Sequence, residues 1–178
     1  MKRVLTGLAL ALALFAFGGT QTATAAESQT VSGTSAWISQ GQYFLTGEEE
    51  ALFIGVMGGV LYLESMEGRL DSVALICPGD FVINLKTGAQ SGEGKCIITD
   101  ADGENVFANW DCKGEDFLGC SGQFTLTAGT GKFQGITGGS AMHARTKFTG
   151  LTVDLSSGTV IEEAAGLMTL PELTYKLP

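Results

Sequence analysis

Ala128-Gly129-Thr130-Gly131-Lys132-Phe133-Gln134-Gly135-Ile136-Thr137-Gly138-Gly139 sets five glycines around one lysine and one phenylalanine. Two physical readings compete for it. A phosphate-binding loop needs Gly-x-x-x-x-Gly-Lys-Ser/Thr, with a hydroxyl after the lysine to reach magnesium. Here the first glycine of that pattern is replaced by Leu126 and the hydroxyl by Phe133. The dinucleotide fingerprint fails as well: its third glycine falls on Gln134, and no strand–helix–strand unit surrounds it. What remains is backbone curvature. Gly129, Gly131, Gly135 and Gly138 tolerate close approach or positive φ, and Phe133 keeps enough side chain to plug a core. Sheets that close on themselves need such corners.

The rest of the chain agrees with a β protein. There are 26 glycines in 178 residues, and no long segment carries apolar residues at helical spacing between caps. Strand-like segments fall at 30–38, 42–46, 51–57, 60–64, 72–77, 81–86, 95–99, 105–111, 122–127, 140–148, 151–155 and 173–177. Turn chemistry separates them at Pro78-Gly79-Asp80, Asp100-Ala101-Asp102-Gly103, Thr149-Gly150 and Ser156-Ser157-Gly158. Only 161–168 reads as a helical turn or two. Short strands at regular spacing predict an antiparallel sandwich or barrel. In 142–148, His143, Arg145 and Lys147 alternate with Met142, Ala144 and Phe148, and in 151–155 the apolar set is Leu151, Val153 and Leu155. A tight turn at Thr149-Gly150 would join these as a half-buried hairpin. By contrast, 53–63 is apolar on both faces, so its outer side is expected to meet a helix, a loop or a partner subunit.

The chain opens with Lys2 and Arg3, an apolar run over 4–17, and the small residues Ala23-Thr24-Ala25. That is the layout of a cleaved secretory signal peptide, and the run is too short to span a bilayer. We therefore expect a signal peptide over 1–26 and a single domain over 27–178, exported to the periplasm or secreted, with no membrane span after cleavage. Without Lys2 and Arg3, 8 basic residues face 19 acidic ones, a charge of −11. Nucleic acid and anionic lipid are repelled by such a surface. All four cysteines, Cys77, Cys96, Cys112 and Cys120, lie in the mature part, and an oxidising compartment favours disulfides. Three pairings exist. Cys77–Cys96 and Cys112–Cys120 are preferred because each would join neighbouring strands of one hairpin. Zinc needs closer spacing than any pair here offers.

The segment from Gly129-Thr130-Gly131-Lys132-Phe133 to Gly138 resembles the Gly-Thr-Gly-x-Phe-x-x-x-x-Gly segment of the allene oxide cyclase and dirigent β-barrels, above all their exported bacterial relatives. The run Cys120-Ser121-Gly122-Gln123-Phe124 and the closing Leu173-Thr174-Tyr175-Lys176-Leu177-Pro178 are similar too. The resemblance implies a closed, calycin-like antiparallel barrel of about eight strands, an apolar lumen, no required cofactor and often a trimer. It transfers no catalytic residue, because neither the dirigent acidic pair nor the cyclase lumen residues align.

Chemistry-bearing residues are few. His143, the single histidine, shares a strand face with Arg145 and Lys147 and reads as a surface residue. Asp100-Ala101-Asp102-Gly103-Glu104-Asn105 approaches a calcium loop, but its glycine is misplaced, and Asp-x-Asp-Gly between strands is ordinarily a turn. No metal site is expected. Glu48-Glu49-Glu50 reads as a solvated loop tip. Tyr62 and Trp110 are the candidates for lining a ligand cavity, with Trp37 as a further aromatic. Three functions stay open. One is a barrel that binds a small hydrophobic molecule in its lumen or a protein on its outer face. The others are a cofactor-free isomerase or cyclase and a purely structural envelope protein. A homo-oligomer is compatible with each.

Overall fold

The computed structural model describes residues 28–65, 70–154 and 159–177. The signal peptide read over 1–26 and the turn read at Ser156-Ser157-Gly158 lie outside them. Eight strands run in chain order: β1 Ser28–Leu45, β2 Glu50–Ser65, β3 Leu70–Asn84, β4 Ala89–Thr99, β5 Asn105–Glu115, β6 Gly119–Gly129, β7 Thr137–Asp154 and β8 Thr159–Lys176. Each pairs antiparallel with the next, and β8 pairs with β1, so the sheet closes into a barrel.

Eight long strands replace the twelve short ones expected from sequence. Pro78-Gly79-Asp80 is no turn but lies within β3, paired with β2 from Val56 to Ile54. The β3–β4 ladder lapses at Cys77 and Pro78, so the proline's missing N–H costs little there. Thr149-Gly150 likewise lies inside β7, so the hairpin read between 142–148 and 151–155 does not exist. The partners of that stretch come from β8 instead, with Arg145 opposite Leu167 and Thr152 opposite Ile161. The segment 161–168, read as helical, is strand in β8: inward Glu162, Ala164 and Met168 alternate with outward Glu163 and Leu167. Closure of the barrel supplies the pairing that local propensity underrates.

Both disulfides form as expected, Cys77–Cys96 between β3 and β4 and Cys112–Cys120 between β5 and β6. The glycine-rich stretch makes the β6–β7 connection rather than one bent strand. β6 ends at Gly129, a single 3-10 turn covers Gly131–Phe133, and β7 begins at Thr137. Gly131 (φ 50°) and Gly135 (φ 82°) take left-handed conformations that a side chain would resist. Phe133 packs against the core from this loop, while Gly138 lies already inside β7 with a φ of 151°.

The barrel interior is not one open lumen. Leu61, Leu75, Phe124, Met168 and Leu170 are fully buried and pack as a waist across the middle. One chamber lies towards each end.

Candidate functional site

The two chambers differ in chemistry. The first, about 120 Å³, opens at the end holding the β4–β5 and β6–β7 connections. Its wall is apolar, with Leu61, Leu63, Val73, Ile98 and Leu126, and Tyr175 and Asp71 stand at its edge. Lys132 ties the two loops at this end. Its Nζ lies 2.5 Å from Asp100, 2.6 Å from Asp102 and 3.8 Å from Glu104. The lysine holds the Asp100 carboxyl below its ordinary range, and Asp100 and Asp102 raise the lysine in turn. Asp100 Oδ1 also accepts the backbone N–H groups of Asp102 and Glu104, both at 2.9 Å, as a turn-forming aspartate does. The acids that resembled a calcium loop therefore face an ammonium group.

The second chamber, about 110 Å³, lies at the opposite end, and its wall is aromatic. Tyr43, Phe53, Phe81 and Trp110 form a row across β1, β2, β3 and β5, with ring centroids 5.2, 6.5 and 5.4 Å apart in sequence. Glycines facing inward make room for this row. The Phe53 ring fills the space a Cβ on Gly41 or Gly55 would need, Phe81 covers Gly92, and Trp110 lies across Gly79 and Gly94. Trp37 completes the wall opposite Gly166. Three ionisable side chains converge on this aromatic surface, Tyr43 from β1, Glu162 from β8 and Asp116 from the β5–β6 turn, and the neutral Ser39, Gln90 and Thr146 also line it. The Tyr43 hydroxyl donates to Asp116 Oδ1 at 3.5 Å and also engages Glu162. Phe117, beside Asp116, is the one non-glycine among the described residues with positive φ (62°), so the turn carrying Asp116 is strained.

The electrostatics of this trio follow from burial. Glu162 is only 8% exposed, and among the described residues neither it nor Asp116 meets a lysine or arginine. Desolvation, first, pushes both carboxyls above their ordinary values, and Asp116 adds repulsion at Glu162. Burial, then both carboxyls, raises Tyr43. The indole N–H groups of Trp37 and Trp110, by contrast, are buried without a hydrogen-bond partner among the described residues.

A stability prediction arises from the raised Glu162. A carboxyl whose folded pKa exceeds its unfolded value stabilises the fold fully below that unfolded value, here 4.5, and the contribution is lost as pH rises through the folded value. Glu162→Gln should therefore stabilise the empty barrel at pH 7 by on the order of 1 kcal/mol, about 3 °C in Tm for this size. The two proteins should converge near pH 4. A variant melting below wild type at pH 7 would mean that the carboxylate is paired after all.

The sequence-derived candidates divide. Trp110 lines the aromatic chamber. Tyr62 does not: it points outward from β2 and is 45% exposed, because side chains alternate across the strand and Leu61 takes the inward place. His143 is exposed and lies 2.9 Å from Ser121 Oγ through its Nδ1, on the outer face beside Arg145. Tyr43, Asp116 and Glu162 were not singled out by sequence. Glu162 would have been visible only with 161–168 read as strand, and Asp116 sits in an ordinary turn.

Geometry thus defines a closed eight-stranded antiparallel barrel with an apolar chamber at one end and an aromatic, acid-bearing chamber at the other. No family model matches the sequence, and no curated protein does. Among solved structures, a pterocarpan synthase dirigent protein aligns over 88% of this chain and 99% of its own, at 12% identity and a TM-score of 0.32.

Proposed function

We propose that this is an exported barrel that binds a small molecule in its interior without a cofactor. The observation that carries the reading is the aromatic chamber, whose wall is built from bulky rings laid on inward-facing glycines. A merely structural barrel gains nothing from an arrangement that leaves two indole donors without acceptors and a buried carboxyl without a counter-charge among the described residues. Volumes of about 110 and 120 Å³ limit any occupant to a small molecule or one arm of a larger one, well short of the ~300 Å³ of a drug-sized site. Two disulfides support an oxidising destination, periplasmic or secreted. Among the described residues no helix is long and apolar enough to cross a membrane. Kinship with the exported bacterial branch of the allene oxide cyclase and dirigent barrels belongs to the same proposal and rests on the segment from Gly129 to Gly138.

A second reading, a cofactor-free isomerase, draws on the convergence of Tyr43, Asp116 and Glu162. Carboxyls with raised pKa hold protons closer to neutrality and so suit acid–base work. A protein partner is the third element. Ile38, Val56, Val60, Tyr62, Ile76 and Leu167 are all exposed on the outside of β1, β2, β3 and β8, an apolar face suited to a second copy of the chain.

Native mass spectrometry of protein purified from its own source tests this reading. We expect a mass above that of the mature chain by one small molecule per subunit. A bare mass, joined to unchanged tryptophan fluorescence across a panel of small apolar compounds, would leave only the structural role. The same spectra count subunits.

A further inference from the structure

We infer that the aromatic chamber is a site for a small organic ammonium ion, with Glu162 and Asp116 as its counter-charges and the rings of Trp110, Phe81, Phe53 and Tyr43 as its wall. The inference rests on the small-molecule reading above and names the class of ligand.

Sign comes first. The ionisable side chains that line the chamber are two carboxyls and a phenol, beside the neutral Ser39, Gln90 and Thr146, and no basic residue among those described lines it. An anion would be repelled. A neutral apolar molecule would leave Glu162 buried and still without a counter-charge, which is the costly state. A cation removes that cost.

The walls then choose among cations. A bare metal ion seeks six or more oxygen ligands, or a set of imidazoles and thiolates, and this chamber sets two carboxyls, one phenol and the neutral Ser39, Gln90 and Thr146 among aromatic rings, with no imidazole or free thiol. No group of three or more metal-ligating side chains occurs among the described residues. An alkylated ammonium ion has the opposite needs. Its charge is diffuse, its surface is apolar, and it is held by the faces of Trp, Tyr and Phe, most strongly where water is excluded. Two carboxyls beside a row of four rings supply both requirements.

A second, independent feature points to an occupant. Trp37 is 8% exposed and lines the chamber, yet its indole N–H has no acceptor, and the same holds for the Trp110 N–H. Buried donors in this condition are uncommon, and each asks for an acceptor. The ligand class is accordingly an ammonium ion that also carries a hydroxyl or carboxylate oxygen, as amino alcohols and betaines do. A chamber of about 110 Å³ suits a compact head of this kind.

The protein carries its own reporter, since its two tryptophans, Trp37 and Trp110, both line the chamber. The experiment titrates the mature, disulfide-intact protein with choline and, separately, with 3,3-dimethylbutan-1-ol, its neutral isostere. Binding is followed by indole fluorescence and by calorimetry. Choline should bind at least about tenfold more tightly than the isostere, and Glu162→Gln should weaken choline about tenfold while leaving the isostere within about twofold. That variant is expected to fold at least as well as wild type, so its loss of binding will not be a loss of structure. Equal affinity for the two compounds would overturn the cation while leaving small-molecule binding intact. So would choline binding that is indifferent to Glu162→Gln. If neither compound binds, the ammonium site is refuted. A retained neutral molecule in the native mass spectrum would then preserve the broader reading, and a bare mass would end both.

Discussion

A Gly94→Val variant will lose about 3 kcal/mol of stability or fail to fold, while Gly58→Val will be neutral or slightly stabilising. Both glycines lie in strands, and valine is the better strand former at either place if propensity alone decides. Tertiary surroundings reverse the expectation at one of them. A Cβ on Gly94 would meet the Pro78 carbonyl oxygen and stand 2.6 Å from Trp110 Nε1 and 2.7 Å from its Cε2. The oxygen belongs to the neighbouring strand and the indole is wedged across Gly79 as well, so neither can retreat without moving β3 or emptying the aromatic row. Gly58 has only the Leu75 carbonyl oxygen near, at 3.7 Å, and open space beyond. Chemical denaturation of the two variants beside wild type checks the contrast. Equal stabilities would mean that the glycine floor beneath Trp110 does not exist.

The second large effect comes from the cross-links. Removing Cys77–Cys96 by a Cys77→Ala/Cys96→Ala double variant should cost about 3 kcal/mol, and removing Cys112–Cys120 in the same way about 2.5 kcal/mol. The difference follows from loop length, because the first bridge closes 19 residues of chain and the second only 8. The first also spans the place where the β3–β4 ladder lapses at Cys77 and Pro78, so it holds two strands that backbone bonds leave apart. Equilibrium unfolding with each bridge removed in turn measures both terms. A larger loss from the 8-residue bridge would show that restriction of the unfolded chain is not what these disulfides supply, and that their packing inside the barrel, where all four cysteines are buried, decides instead.

How much of this was legible beforehand depends on the range of the interaction involved. The β class and the preferred cysteine pairings follow from signals carried within a few dozen residues: glycine density, strand-forming segments, and cysteines placed to face each other across adjacent strands. The closed barrel was expected from the resemblance of 129–138 to a family of barrels. Strand length did not. Pro78-Gly79-Asp80 and Thr149-Gly150 have the composition of turns, and a chain read locally must break there. Inside the barrel, pairing with β2 holds the backbone extended through the first and pairing with β8 through the second. The glycines misled for a related reason. Those of 129–139 do bend the chain, as their φ values at Gly131 and Gly135 show. Gly41, Gly55, Gly79, Gly92 and Gly94 serve another end, which is to leave floor space for rings from adjacent strands.

Alone, then, the amino-acid sequence determined the kind of sheet and pointed to its covalent staples, since each depends on residue types close together along the chain or on a one-to-one pairing of few groups. Only the tertiary structure decided which aromatics face inward, with Trp110 inside and Tyr62 outside, and that Tyr43, Asp116 and Glu162 meet at one mouth. Those three are separated by 73 and 46 residues along the chain and sit on β1, the β5–β6 turn and β8. Their meeting is set by barrel closure and strand register, where a slip of one residue turns every side chain to the other face. No local pattern encodes that register.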